Sequence, residues 1–276
     1  MSFYISLSGL KGAQADLSTI SNNVANVGST AFKKSKTIFG DIFAAAPMQT
    51  TNQVAGQGTR VQAIQQQFTQ GTIETTDKVL DLAITGEGFF SVKAEDGTLS
   101  YTRNGAFSVD ANRFVLDSTG SRMQVFPTDP DTGAVTSGMT TADLTDLQIP
   151  LTSPTDATIQ LSSVGINDSG LVSAVYADGS TVALGQIAMA TFPALEGLRQ
   201  QGDGHWEETL ASGDATFGVG NTGLFGAIRS GALERSNVDI TEELVSLISA
   251  QRNFQANAKA LDTATQVSQA ILNIRS

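Results

Sequence analysis

The sequence predicts an α+β protein: a discontinuous helical coiled-coil layer drawn from both termini, and a mainly antiparallel β domain between them. Three observations predict it. Apolar residues recur at helical spacing at both ends of the 276-residue chain. Period-two alternation fills the middle, and Asp-Gly and Asn-Gly turns punctuate it.

The first helix is read from Phe3, Leu7, Leu10, Ala13, Leu17, Ile20, Val24 and Val27, which follow one another at steps of three and four. The pattern breaks at Gly28 and turns basic at Lys33, Lys34 and Lys36. Its other face is unusual. Residues 1–28 carry only Lys11 and Asp16 as charges, and Gln14, Ser18, Ser21 and Asn22 fill the polar side. A helix lying on a membrane surface would want Lys and Arg there. A lone soluble helix with that face is marginal. Hydroxyl and amide groups suit a helix packed among other helices or facing water, because they bond without the desolvation cost of charge. The residues leave two arrangements open: contacts between subunits, or a helical hairpin within one chain.

The last helix shows the same rhythm in Ile240, Leu244, Leu247, Gln251, Phe254, Ala258 and Leu261, widened by Val245 and Ile248. "SNVDITEEL" supplies its start, with Asn237 or Asp239 as N-cap and Glu242 and Glu243 in the first turn. Either helix would span roughly 35 to 50 Å.

Between them, "LDLAITGEGFFSV", "FSVDANRFVLD" and "LVSAVYADGSTVALGQIAMATF" read as hairpin strands, and "EDGT", "RNGAF", "DSTG", "NDSG" and "ADGS" as turns. Residues 126–160 hold four of the six prolines and read as a loop-rich junction. The expected division is 1–43 with 236–276 as the terminal helical domain, and 44–235 as the β-rich core.

Composition narrows the function. A net charge of −11 argues against nucleic acid, whose phosphates need clustered Lys and Arg. No run of 18 apolar residues is present, so membrane insertion is not expected. The first twenty residues lack a basic leader with an unbroken apolar segment, so a Sec-type signal peptide is not expected either. Cysteine is absent, which removes disulfides, Cys-based zinc sites and Cys nucleophiles. The single histidine, His205, has no G-x-S-x-G partner and is read as structural or exposed, with Trp206 as a packing residue under a hairpin. The acidic pairs Glu207–Glu208 and Glu242–Glu243 are neighbours that point apart. "DPDTG" at 129 opens like a calcium loop but lacks the closing Glu. No catalytic constellation, metal site or cofactor is expected. A soluble β-rich binding domain with a helical hairpin is the alternative from another class.

Both ends carry a recognisable pattern. "LSGLKGAQADLSTISNNVANVGSTAFKKSKTIFGDIF" and "SGALERSNVDITEELVSLISAQRNFQANAKALDTATQVSQAILNIR" resemble the terminal signatures of the flagellar rod and hook family of axial proteins. "QFTQGTIETTDKVLDLAITGEGFFSV" and "YTRNGAFSVDANRFVLDSTG" resemble its middle. "KKSKTIFGDIFAAAP" and "VGINDSGLVSAVYADGSTVALGQIAMATF" are similar to the hook branch; the distal rod is the alternative. Hook proteins usually insert an outer β domain, and 126–160 is too short to hold one.

The resemblance implies a subunit that polymerises into a hollow helical tube, a flexible universal joint carrying torque from motor to filament. It implies passage through the flagellar type III export apparatus to an extracellular hook. The implied neighbours are other copies of the chain and the hook cap, distal rod and hook–filament junction proteins. The terminal helices would line the channel. The residues expected at the assembly interface are Leu10, Leu17, Ile20, Asn22, Asn23, Val24, Asn26 and Val27 on the first helix, and Leu244, Leu247, Gln251, Arg252, Phe254, Asn257 and Leu261 on the last.

Overall fold

The computed structural model describes residues 2–43, 56–136, 138–154, 156 and 158–274. They form the expected α+β architecture, two long helices and a body of antiparallel strands. The chain divides into two units. One draws on Met1–Val27, Lys33–Gln67 and Val238–Ser276, the other on Gly28–Phe32 and Phe68–Asn237.

The first unit contains α1 (Ser2–Ala25) and α2 (Ile240–Ile274). It also holds a hairpin of β1 (Ser35–Phe43) and β2 (Gly56–Gln66), paired from Ser35↔Gln66 to Phe43↔Gly56 with bulges at Ile38/Phe39 and Asp41/Phe43. β2 therefore sits with the helices, whereas the sequence division at residue 43 assigns it to the β core. A hairpin alone is marginal in water, and α1 gives this one a packing face: a Cβ at Gly12 would sit 3.2 Å from the Phe39 ring. Of the two candidate caps of α2, Asp239 is the one used. Its carboxylate accepts from Thr241 N (2.7 Å) and Glu242 N (3.2 Å). Asn237 instead donates to Thr69 in the second unit.

The second unit is an antiparallel sheet. Its main path runs Leu161–Ile166, Leu171–Tyr176, Thr181–Ile187, Arg122–Phe126, Phe89–Lys93, Leu99–Thr102, His205–Glu207 and Arg199–Gly202. The turn signals work as read. In "ADGS", Gly179 takes φ +84° and Asp178 Oδ1 accepts from Ser180 N and Oγ. "RNGAF" is different: a Cβ at Gly105 would lie 1.7 Å from Leu82 O, so close backbone approach fixes that glycine.

Two apolar clusters hold the unit. The larger includes Leu82, Ile84, Phe90, Met123, Val172 and Ile187. The smaller stacks Trp206, Phe89, Tyr101 and Phe192 edge to face. The segment 126–160 is largely irregular, with a short strand at Thr145–Asp146. It is tied down by the buried side chains of Leu147 and Ile149.

Candidate assembly interface

The first unit is organised around Asn23, the second Asn of "NNVAN". Its amide clamps the start of β1: Nδ2 donates to Ser35 O (2.8 Å), and Oδ1 accepts from Ser35 N (2.9 Å). Nδ2 also reaches Glu243 Oε2 on α2 (3.1 Å). Only an amide offers donor and acceptor together in that geometry. One buried side chain thus joins both helices and the hairpin.

Charge backs the amide. Lys34 Nζ pairs with Glu243 Oε1 (2.7 Å) and Glu242 Oε2 (3.2 Å). Partial burial pulls the Lys34 ammonium down, but the hydrogen bonds and charges of Glu243 and Glu242 outweigh it and hold its pKa above the ordinary lysine value. These groups border a polar cleft of about 390 Å³ that Asp16, Thr19 and Thr37 also line. Burial holds the Asp16 carboxyl above the ordinary aspartate range; a Thr37 side-chain hydrogen bond works against this, and the Glu243 charge adds to it. Among the described residues, no group of three or more His, Cys, Asp or Glu is placed to hold a metal ion.

Asn23→Ala removes three hydrogen bonds and leaves the Ser35 backbone pair unsatisfied. The expected loss is about 2–4 kcal/mol, read as a lower denaturation midpoint. Asn23→Asp costs at least as much, because a carboxylate then faces Glu243 and the Ser35 carbonyl. A denaturation midpoint unchanged in both variants sinks this account of the clamp.

Asn23 meets Glu243 at one end of the pair. At the other end a Cβ on Gly9 would stand 2.6 Å from Asn257 Oδ1. The interval is equal on the two helices, so they run antiparallel without a slip. Leu10, Leu17 and Val24 are half-buried and Ile20 is buried, as are Ala13 and Asn23. Asn26 and Val27 are half-buried in the turn after α1, where Asn26 N and Nδ2 both bond back to Asn22 O. Asn22 itself is exposed, together with Gln14, Ser18 and Ser21.

On α2 the expected stripe splits. Leu247, Phe254, Asn257 and Leu261 are half-buried, on the side that meets α1. Leu244, Gln251 and Arg252 are exposed on the other side. Val245 (61% exposed) and Ile248 (50%) extend that outer face. Tyr4 and Ile5 join Phe3 as exposed apolar side chains at the start of α1. The sequence reading passes over those two, although "FYI" places apolar groups on several sides of one turn.

The second unit buries two close polar pairs. His205 Nε2 lies 2.6 Å from Asp117 Oδ2, both nearly inaccessible. Arg103 Nη1 lies 3.3 Å from Glu234 Oε2, whose other oxygen accepts from Gly71 N. His205 is therefore a buried structural residue, and its loss would strand a carboxylate.

Three family models match the chain. They are a flagellar basal body rod protein model over residues 3–33, the flagellar hook protein FlgE/F/G D1 domain over 83–174, and the FlgEFG rod protein C-terminal region over 229–274. The flagellar basal-body rod protein FlgG of Bacillus subtilis is 36% identical over 288 positions, covering 99% of this chain and 98% of its own. FlgG of Borreliella burgdorferi is 34% identical over 93% of this chain and 91% of its own. The flagellar hook protein FlgE of Salmonella typhimurium is 28% identical over 411 positions, covering all of both chains. The chain belongs to the flagellar rod and hook family of structural proteins. Relatives of both kinds match it. Because 411 exceeds 276, the hook relative carries internal sequence that this chain does not have.

Proposed function

We propose that the chain is a hook subunit, polymerising into the flexible hollow tube that carries torque from motor to filament. The observation that carries polymerisation is the apolar outer face of α2, Leu244, Val245 and Ile248, which stays open to solvent among the described residues. The hook branch is favoured by the likeness of residues 33–47 and 164–192 to hook sequences. On this reading the chain has no catalytic role. It leaves the cell through the flagellar type III export apparatus. It meets other copies of itself along the tube, and the hook cap, distal rod and hook–filament junction proteins at the ends. Leu10, Leu17, Ile20, Val24, Leu247, Phe254 and Leu261 then set the shape of each subunit, while Leu244, Gln251, Arg252 and Asn22 meet neighbours.

A distal rod subunit is the second reading. It is favoured by the near-equal length of the Bacillus subtilis rod relative, which aligns over 98% of itself without a large internal insertion. Immunogold labelling of isolated hook–basal bodies separates the two. Label along the curved segment between basal body and filament is expected; label confined to the straight rod overturns the hook assignment.

Leu244→Asp tests the outer face. The monomer keeps its helicity and melting temperature, because the site is already 44% exposed, and tube formation is lost. Normal polymerisation of this variant would remove Leu244 from the interface.

A further inference from the structure

We propose that Asp16 is a proton-operated latch of the helical unit: its neutral carboxyl completes a hydrogen-bond chain that ties α1 to β1, and its ionised form leaves that chain one bond short. The proposal concerns the single chain and does not rest on the reading of it as a polymer subunit.

The bonds can be followed from their fixed end. Thr19 Oγ1 donates to Ala15 O on α1 (3.1 Å), and a carbonyl can only accept. Thr37 Oγ1 on β1 donates in turn to Thr19 Oγ1 (3.0 Å). Both hydroxyl protons are then spent. Thr37 also hydrogen-bonds the Asp16 side chain, and there its oxygen has only a lone pair left to offer. A protonated Asp16 supplies the missing donor. A carboxylate cannot, so Thr37 must turn its proton toward Asp16 and give up Thr19. Thr19 and Thr37 are each 6% exposed, so water does not replace the lost bond.

The charges around the cleft favour the same state. Glu242 and Glu243 line it from α2, and Lys34 is paired with both. Lys36 lines it from β1 and is exposed. β2 adds no charged group to the lining. Among the described residues, Asp16 has no ion-pair partner. Burial raises its pKa above 3.8; a Thr37 bond to the carboxylate works against this, and the Glu243 charge adds to it. A carboxyl whose folded-state pKa is raised is held neutral by the fold. Its contribution is complete below the unfolded value of 3.8 and is lost as pH rises through the folded value. The helical unit therefore tightens on acidification and loosens toward neutral pH.

Urea denaturation followed by helical circular dichroism reads the latch, because α1 and α2 both lie in this unit. Asp16→Asn keeps a donor in place at every pH. Its midpoint is expected to exceed that of the wild type at neutral pH, and the gap closes as pH falls to 3.8. Titration of Glu242 and Glu243 is common to both proteins and cancels in the difference. Thr37→Val, made in both backgrounds, narrows the gap, and Thr37→Ser restores it. A gap that is absent or independent of pH overturns the proposal, as does one that Thr37→Val leaves untouched. Should Asp16→Asn fail to fold, the wild-type carboxyl decides. Its carbon resonance is expected to titrate above 3.8 in the folded chain; titration at or below that value overturns the latch.

Discussion

Leu17→Asp dissociates α1 from α2 and abolishes assembly. Leu17 is half-buried between the buried side chains of Ala13 and Ile20, on the face α1 turns inward. A carboxylate there enters the apolar seam next to Asp16, whose own pKa burial already raises. The expected cost is about 3 kcal/mol or more. It appears as lost helical signal in circular dichroism and as absence of polymer, while the melting of the β unit is unchanged. The contrast with Leu244→Asp is the informative part. Both variants fail to assemble, but only Leu17→Asp loses structure within the monomer. If Leu17→Asp kept full helicity and still polymerised, the inward face of α1 would be wrongly placed.

Asp117→Ala is the second large effect. The Asp117 carboxylate accepts from Thr119 N, Thr119 Oγ1 and Ser121 N through Oδ1, and Oδ2 pairs with His205 Nε2. Its removal takes a partner from four polar groups, of which Ser121 N and His205 Nε2 belong to buried residues. A loss of about 3–5 kcal/mol is expected, read as a lower melting temperature. His205→Ala strands the same carboxylate, so it costs more than the small loss a packing histidine would give. The pH dependence follows. Burial alone would raise the Asp117 pKa, but the His205, Thr119 and Ser121 bonds outweigh it and hold it below the ordinary aspartate value of 3.8. A carboxyl with a depressed folded-state pKa stabilises fully above its unfolded value. That contribution is lost as pH falls below 3.8 through the folded value. Wild-type melting temperature therefore drops more steeply than that of Asp117→Asn over that range. Parallel curves would show that the pair contributes nothing there.

Much of this was legible in the residues. The Asp-Gly and Asn-Asp-Ser-Gly turns, the apolar period of both helices and the acidic start of α2 are local signals, and each element formed where its signal lay. The α2 stripe was legible only as one seam. A step of three residues turns a helix by about 300°, so the line through Leu244 and Gln251 stands about 60° from the line through Leu247 and Phe254, and α1 covers only the second. Leu247, Phe254 and Leu261 stay near the inward face, while Leu244 and Gln251 fall outside it. Asn23 was visible in its motif, but its work depends on Glu243, 220 residues away. Nothing local announces that pairing, nor that β2 belongs with the helices rather than with the strands that follow it.

The measurement that bears most directly on the central claim is electron microscopy of the purified chain, concentrated in assembly-promoting salt. Long hollow tubes of unlimited length are expected, because on this account copies of the chain meet along the outer apolar face of α2, which is open among the described residues. Monodisperse single chains at every concentration, with Leu244, Val245 and Ile248 still open to solvent, would contradict it.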